Sequence, residues 1–178
     1  MAEGASANVR YARVGAVVGA VLLLSGSVAT AAAPPRPGSP APAFDLPVAV
    51  NGKGTLSLAS LRGKGVYLNF FATWCGPCKV EAPYIGKLSR EFAKRNVVVI
   101  GVDELETPGK AKEFADQYRL QYRIVLDESG DMGGSYGVAG LPLHVFIAPN
   151  GTVTVHRVGE MSEKQIRAAL TTLSSSHR

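Results

Sequence analysis

The apolar positions of the chain change their spacing several times between residues 60 and 175. Two nearly continuous apolar runs, GVYLNFFA at 65–72 and VVVIGVD at 97–103, are typical of strands that are covered on both faces. Between these runs, apolar side chains recur at helical spacing and predict a helix over 75–94. Its apolar face consists of Tyr84, Ile85, Leu88 and Phe92.

The second half of the chain continues the alternation of strands and helices. Thr107 can cap a helix that has Pro108 in its first turn, and Ser162 and Gln165 have the spacing of a capping box. The predicted elements are a helix over 107–118, a strand over 123–127, a hairpin over 144–158 that turns at 149–151, and a helix over 162–173. This order predicts an α/β sandwich with a central mixed β-sheet flanked by helices.

The first 33 residues form a segment of a different kind. Arg10 and Arg13 precede an uncharged apolar run, VGAVVGAVLLL at 14–24, and small residues follow it. This pattern is typical of an export signal, and an uncleaved membrane anchor is the alternative. In both interpretations the rest of the chain lies outside the cytoplasm, either anchored to the membrane or secreted. We expect a signal or anchor over 1–33, a proline-rich tether over 34–43 and a folded domain over 44–178.

Composition and charge favour an ordinary globular domain. The chain has 178 residues, of which 46% are hydrophobic and 19% are charged, and its net charge is +5. The basic residues are scattered rather than gathered in a stripe with interleaved aromatic residues, so we expect no nucleic-acid partner.

The candidate chemistry lies in WCGPC at 74–78, which contains both cysteines of the chain. A structural zinc site needs four ligands, but the three histidines are single and widely spaced. A purely structural disulfide would close a loop of only two residues, which removes little chain entropy. A redox-active pair is therefore the favoured interpretation, with no metal and no cofactor.

The position of the pair also supports redox chemistry. Cys75 follows a predicted buried strand and precedes a helix, where unpaired backbone N–H groups and the helix dipole favour a thiolate. Gly76 leaves the approach to sulfur open, and Pro77 suits the first helical turn. We therefore predict that Cys75 is the exposed nucleophile and that Cys78, one turn further along, is the more covered resolving thiol.

The segment YLNFFATWCGPCKVEAP resembles the active-site region of thioredoxin-fold proteins, and more narrowly of the exported TlpA/ResA-like thiol–disulfide oxidoreductases. Other segments fit the same family: PAFDL near the start, IGVDE after the helix and YGVAGLPLHVFIAPNG near the end. The resemblance covers about residues 42–173. It implies a thioredoxin-like sandwich for the domain over 44–178.

The resemblance also implies roles for individual residues. Pro142 corresponds to the cis-proline that lies against the cysteine pair, and the backbone of Leu141 corresponds to the part that bonds an extended substrate strand. Glu81 corresponds to an acidic residue that many of these reductases keep beside the pair. Trp74 shields the pair and offers an apolar contact to the partner. Asn69 stands where thioredoxin itself has a buried aspartate, which moves any proton transfer toward Glu81.

One departure from the family lies just after this proline. Relatives commonly carry Thr there, whereas this chain has Leu143 and His144. His144 either titrates near the site or is simply satisfied by its neighbours. Two further alternatives stay open, a packed aromatic residue at Trp74 and a solvated carboxylate without a role at Glu81.

The family implies an enzyme that reduces disulfides of partner proteins outside the cytoplasm. Apocytochrome c is an expected substrate, and a membrane thiol-relay protein is the expected electron donor. The Gly-Pro pair between the cysteines is thioredoxin's own and favours a reductant, with an oxidant or isomerase as the alternative. A copper-handling module of the Sco type would need CxxxC spacing, and a peroxiredoxin would need Ser or Thr where Ala72 stands.

Overall fold

The computed structural model describes residues 33–175. Residues 1–32, which hold nearly all of the predicted export signal, and residues 176–178 lie outside the described part of the chain. The described strands are β1 (Asp45–Val50), β2 (Thr55–Ser57), β3 (Gly65–Phe71), β4 (Val97–Glu104), β5 (Arg123–Asp127), β6 (Leu143–Ile147) and β7 (Val153–Val158). The described α-helices are α1 (Gly76–Ala93), α2 (Pro108–Tyr118), α3 (Asp131–Tyr136) and α4 (Glu163–Ser175).

The strands form one mixed sheet in the order β2-β1-β5-β4-β3-β6-β7. The three central strands β5, β4 and β3 run parallel, and the other neighbouring strands pair antiparallel. Every residue of β3 is buried, as the continuous apolar run predicted. The predicted fold class is confirmed, and each predicted strand and helix is present with ends that agree within two residues.

Separate apolar clusters cover the two faces of the sheet. Because side chains alternate along a strand, Tyr67 and Phe71 of β3 point to the face that α1, α2 and α4 cover. Leu68 and Phe70 point to the opposite face, which packs against α3 and the segment before β3. Each large apolar side chain buried in this way contributes about 1.5–3 kcal/mol, so the two clusters hold the layers together.

The ends of β3 and β6 bring two distant segments of the chain to one edge of the sheet. Phe70, near the end of β3, pairs with Leu143, the first residue of β6. The WCGPC segment at 74–78 follows β3, and the segment 141–142 precedes β6. Both therefore lie at the same end of the central strands.

Several elements were not predicted from the sequence. They are the hairpin of β1 and β2, the short 3₁₀ helix Leu58–Leu61 and helix α3. Pro47 interrupts the strand pattern of β1, and β2 is only three residues long. Helix α3 has two glycines in its six residues, which lowers its helix propensity. Tertiary packing stabilises these pieces where local preference is weak.

The predicted proline-rich tether is partly joined to the domain. The N–H of Gly38 donates to the carbonyl of Val153 at 2.8 Å, and the N–H of Ala41 donates to the carbonyl of Gly151 at 3.0 Å. The hydroxyl of Tyr136 donates to the carbonyl of Pro42 at 2.6 Å. Residues 38–42 are thus hydrogen-bonded to the hairpin and to α3, although the sequence suggested a folded part that begins only near residue 44.

Within residues 33–175, no helix combines the length and the apolar character that crossing a bilayer requires. The predicted signal or anchor lies outside this part of the chain.

Candidate active site

The two cysteines form a disulfide at the start of α1. Their Cα atoms are 5.3 Å apart, and Cys75 is the residue that caps the helix. The Cys75 sulfur accepts a hydrogen bond from the backbone N–H of Cys78 at 3.2 Å. In the reduced protein this N–H and the positive end of the helix dipole would stabilise a thiolate on Cys75.

The expected difference in exposure between the two cysteines is absent from the disulfide form. Cys75 and Cys78 are each 4% exposed, and both belong to the apolar cluster on the α1 face. Their surroundings do differ. Gly76 has no atom within 4 Å of where a Cβ would stand, and Pro77 is exposed, so the approach beside Cys75 is open. Cys78 lies inside the first turn of the helix.

Glu81 lies one helical turn after Cys78 and is completely buried. Its Oε1 atom accepts a hydrogen bond from the backbone N–H of Met161 at 2.7 Å. Its Oε2 atom lies 3.4 Å from Nε2 of His144. Glu81 is therefore not a solvated surface carboxylate, and an acidic side chain buried one turn after Cys78 is uncommon unless it has partners or a role.

Three tyrosines are affected by the negative charge of Glu81. The pKa values of Tyr67, Tyr84 and Tyr122 are all raised, first by burial and next by the negative charge of Glu81. The hydroxyl of Tyr84 donates to the carbonyl of Met161 at 2.7 Å, so the same short segment binds both Tyr84 and Glu81. The phenols stay protonated at neutral pH and can act as hydrogen-bond donors.

The structure places the residues predicted for a substrate groove at the same end of the sheet as the disulfide. Trp74 is 70% exposed, so it is not a packed core aromatic. The Leu141–Pro142 peptide bond is cis, as the resemblance implied. Pro142 is buried, and the half-buried Leu141 packs against the cluster that contains both cysteines.

A second carboxylate group lies beside the active-site loop and was missed from the sequence. The carboxylate of Glu106 accepts hydrogen bonds from the backbone N–H of Thr73 at 2.5 Å and from its hydroxyl at 2.7 Å. Asp103, at the end of β4, is buried, and its pKa is raised to about 8 by burial and then by the negative charge of Glu106. The segment IGVDE could have indicated this group. Its acidic residues stand at the end of a predicted strand, and the carboxyl ends of adjacent parallel strands meet at one edge of a sheet.

A further pair of carboxyl groups lies on the opposite face of the sheet. Glu104 and Asp127 are register partners on β4 and β5. Burial, and then the negative charge of Asp127, raise the pKa of Glu104 to about 8. Asp127 accepts a hydrogen bond from the N–H of Gly133 at 2.7 Å, which attaches α3 to the sheet.

No group of three or more histidine, cysteine or acidic side chains between residues 33 and 175 is arranged to hold a metal ion.

Comparison with known proteins identifies relatives of this chain. The sequence pattern of the AhpC/TSA family matches residues 37–156. The chain is 36% identical over 115 residues to the thiol-disulfide oxidoreductase ResA of Bacillus thuringiensis (strain Al Hakam). That alignment covers 65% of this chain and 66% of the relative, so the chain spans just under two thirds of its length.

Solved structures with the same fold include two proteins of disulfide metabolism. One is a Chlorobium tepidum protein assigned as thiol:disulfide interchange protein DsbE, with a TM-score of 0.69 and 32% identity over 76% of this chain and 99% of that chain. Another is a secreted Mycobacterium tuberculosis disulfide oxidoreductase homologous to E. coli DsbE, with a TM-score of 0.65 and 26% identity. It is covered over 96% of its length, and 73% of this chain is matched. These likenesses confirm the predicted family resemblance and fold.

Proposed function

This chain belongs to the AhpC/TSA family, and on that premise we propose that it is a thiol–disulfide oxidoreductase that reduces disulfide bonds of partner proteins outside the cytoplasm. The observation that carries the proposal is the disulfide between Cys75, which caps α1, and Cys78 in its first turn. A buried carboxylate, Glu81, lies one turn further along the same helix.

The reaction begins with the reduced pair. The Cys75 thiolate attacks one sulfur of the partner's disulfide, so a Cys75–partner bond forms and the partner's own S–S bond breaks. The displaced partner sulfur leaves as a thiolate and takes a proton from water. Cys78 then loses its proton and attacks the Cys75 sulfur, which releases the second partner sulfur. Two electrons pass from the dithiol to the partner, which ends as two thiols.

In this scheme Glu81 accepts the proton that Cys78 must lose. A carboxylate within reach can act as a general base, directly or through one water. The hydrogen bond from the Met161 N–H holds Oε1 at 2.7 Å and leaves Oε2 for proton transfer. Asn69 cannot take this role because an amide does not titrate. The proton on Glu81 then passes to the departing partner thiolate or to water.

The exposed face around the disulfide serves as the contact surface for the partner. Trp74 presents a large apolar ring to solvent beside the disulfide. Leu141 precedes β6 by two residues and is outside the paired positions of the sheet, and its backbone bonds an extended partner strand. The substrates in this proposal are proteins with accessible disulfides, and apocytochrome c fits because its cysteines must be reduced before haem attachment.

An extracytoplasmic reductant needs a source of electrons. We assign this role to a membrane thiol-relay protein that reduces the Cys75–Cys78 disulfide by the same exchange chemistry. Export rests on the signal-like segment at residues 1–33, and the likeness to a secreted disulfide oxidoreductase supports it. Retention of that segment would anchor the domain to the membrane, and its cleavage would release it.

The test is reduction of insulin disulfides by the reduced full chain, followed through the release of free thiols. We expect the wild-type protein to reduce insulin and the Cys75→Ser variant to be inactive. Equilibration with glutathione should give a redox potential nearer to about −270 mV than to about −120 mV. A potential near the less negative of these two values would indicate an oxidant or isomerase instead of a reductase. Tight copper binding that Cys75→Ser abolishes would instead indicate a metal-handling protein.

A further inference from the structure

His144 is a buried titratable residue that the exchange reaction described above does not use. It lies on β6, two residues after the cis-proline, and is 0% exposed. In the sheet it is the register partner of Asn69 on β3, and it belongs to the face that packs against α1. Its Nδ1 atom is 2.8 Å from the Tyr67 hydroxyl, and its Nε2 atom is 3.4 Å from Oε2 of Glu81.

The contact between His144 and Glu81 joins two buried polar atoms that have no other partner. Neither Nε2 of His144 nor Oε2 of Glu81 has a hydrogen bond elsewhere in the described part of the chain. Buried polar atoms are nearly always hydrogen-bonded, because leaving water without a partner is unfavourable. At 3.4 Å the two atoms are at the outer limit of a hydrogen bond, and they face each other.

The Tyr67 hydroxyl favours one tautomer of His144. The pKa of Tyr67 is raised well above its ordinary value, chiefly by burial, so the phenol keeps its proton. A phenol that donates to Nδ1 leaves the imidazole proton on Nε2. That N–H then points at Oε2 of Glu81. A hydrogen bond from this donor fixes the orientation of the carboxylate.

The other titratable groups around Glu81 do not supply this bond. Tyr67 contacts His144 rather than Oε2, and Tyr84 donates to the carbonyl of Met161. The negative charge of Glu81 adds to burial in raising the pKa of Tyr122. Cys78 lies one helical turn before Glu81 on α1, and its thiol, which appears when the disulfide is reduced, is the group that must give up its proton.

We propose that His144 is a positioning residue for Glu81: its Nε2–H bond to Oε2 orients the carboxylate, and so sets the rate at which Glu81 deprotonates Cys78. Tyr67 acts one step further back by holding the tautomer of His144. This inference rests on the proposed exchange reaction. The step balances as transfer of one proton from the Cys78 sulfur to Glu81, followed by attack of the resulting thiolate on the Cys75 sulfur.

The experiment follows the reduced full chain as it reacts with 5,5′-dithiobis(2-nitrobenzoate) between about pH 5 and 9. Attack by Cys75 releases a first coloured thiolate, and attack by Cys78 on the resulting mixed disulfide releases a second. The first phase reports the Cys75 thiolate, and the second reports deprotonation of Cys78. The leaving thiolate is weakly basic and needs no proton, so the second phase isolates the step that involves Glu81.

Replacement of His144 by Phe removes the donor and keeps a ring of similar size. We expect the second phase to be about tenfold slower near pH 6, while the first phase is unchanged. At pH 9 both proteins should react at similar rates. The variant His144→Gln should restore most of the rate, because its amide can donate at the position of Nε2.

Tyr67→Phe leaves His144 and Glu81 in place and tests the same chain of contacts. It should slow the second phase near pH 6 by a smaller factor than His144→Phe does. Matched controls lie on the opposite face of the sheet: Tyr136→Phe removes a buried hydroxyl bonded to Pro42, and His156→Gln alters the histidine bonded to the carbonyl of Tyr136. Both controls should keep the wild-type profile.

Three outcomes would overturn the proposal. One is a wild-type pH profile in both His144→Phe and Tyr67→Phe. Another is equal slowing of both phases at every pH, which indicates a structural role only. The third is failure of His144→Gln to recover any rate although it folds. Because the reagent is a small disulfide, these results do not depend on protein substrates. Failure to reduce insulin with an intact two-phase reaction would instead sink the proposed function alone.

Discussion

Oε2 of Glu81 on α1 and Nε2 of His144 on β6 face each other at 3.4 Å, and both side chains are wholly shielded from solvent. Helix α1 also carries the two cysteines, and β6 follows the cis-proline segment. The contact therefore links the helix that bears the cysteine pair to the strand that follows the cis-proline.

Removal of the Glu81 charge should affect resolution of the mixed disulfide more than its formation. We expect Glu81→Gln to keep the fold and the disulfide but to slow release of the second coloured thiolate by about 10²-fold at acidic to neutral pH. At high pH hydroxide takes over and the rates should converge. Glu91→Gln is the control, because Glu91 lies on the same helix and is ion-paired with Arg167. Superimposable profiles for Glu81→Gln and wild type would remove Glu81 from the mechanism.

Cys75 should be the attacking thiol because it caps α1 and accepts the Cys78 N–H. Alkylation of the reduced protein with limiting iodoacetamide at neutral pH should label Cys75 in preference to Cys78. Cys78→Ser should accumulate mixed disulfides with partner proteins, and Cys75→Ser should not. A label found chiefly on Cys78 would reverse the assignment.

Trp74 should matter for protein partners and not for small disulfides. Its ring is 70% exposed, so its loss changes the contact surface and leaves the core intact. We expect Trp74→Ala to raise KM for insulin reduction by about 10-fold, as buried aromatic contacts at interfaces are worth about 1–2 kcal/mol or more. Its reaction with the small disulfide reagent should match wild type. Val80→Ala, which trims an exposed apolar residue on α1, serves as the control. Equal KM values for Trp74→Ala and wild type would exclude a role in docking.

Asp103 should make stability depend on pH. Its pKa is raised to about 8 in the folded protein, and an aspartate in the unfolded chain has a pKa of about 3.9. Between these values the folded state holds the extra proton, so the stabilisation is complete below about pH 4 and is lost as pH rises toward 8. Asp103→Asn should therefore unfold with a free energy about 1–3 kcal/mol above wild type at pH 8 and with a smaller gain at pH 5.

Urea unfolding of the oxidised protein at both pH values measures the effect of Asp103→Asn. The control is Asp116→Asn on α2, whose carboxylate is exposed and paired with Lys112. An exposed pair of this kind contributes about 0–1 kcal/mol. The same difference between Asp103→Asn and wild type at both pH values would contradict the expected titration.

Export should be visible with a topology reporter. The basic residues before the apolar run at 14–24 imply that the C-terminus lies outside the cytoplasm. Alkaline phosphatase fused to the C-terminus should therefore be active, and replacement of the apolar run by polar residues should silence it. Resistance of the protein to a carbonate wash would indicate an anchor, and its release would indicate cleavage. Activity of a cytoplasmic reporter in place of the phosphatase would contradict export.

Local patterns in the sequence predicted most of the strands and helices and the chemistry of the cysteine segment. Continuous apolar runs predicted β3 and β4, helical spacing predicted α1, and Ser162 with Gln165 predicted the start of α4, where the Ser162 N–H does donate to the Gln165 side chain at 2.9 Å. The WCGPC segment predicted a redox-active cysteine pair, because its two thiols, its proline and the following helix are neighbours in the chain. Such features depend on residues within one or two helical turns, and short-range physics settles them.

The tertiary structure decided what depends on distant residues. The β1–β2 hairpin and α3 have weak local preferences, and packing against the sheet stabilises them. The equal exposure of Cys75 and Cys78 also comes from packing, since the cluster on the α1 face covers both. Glu81 contacts Met161, which lies 80 positions further along the chain. Tyr67 contacts His144, which lies 77 positions further along. No local rule states that such side chains meet, because the order of strands in the sheet and the register of β3 with β6 bring them together.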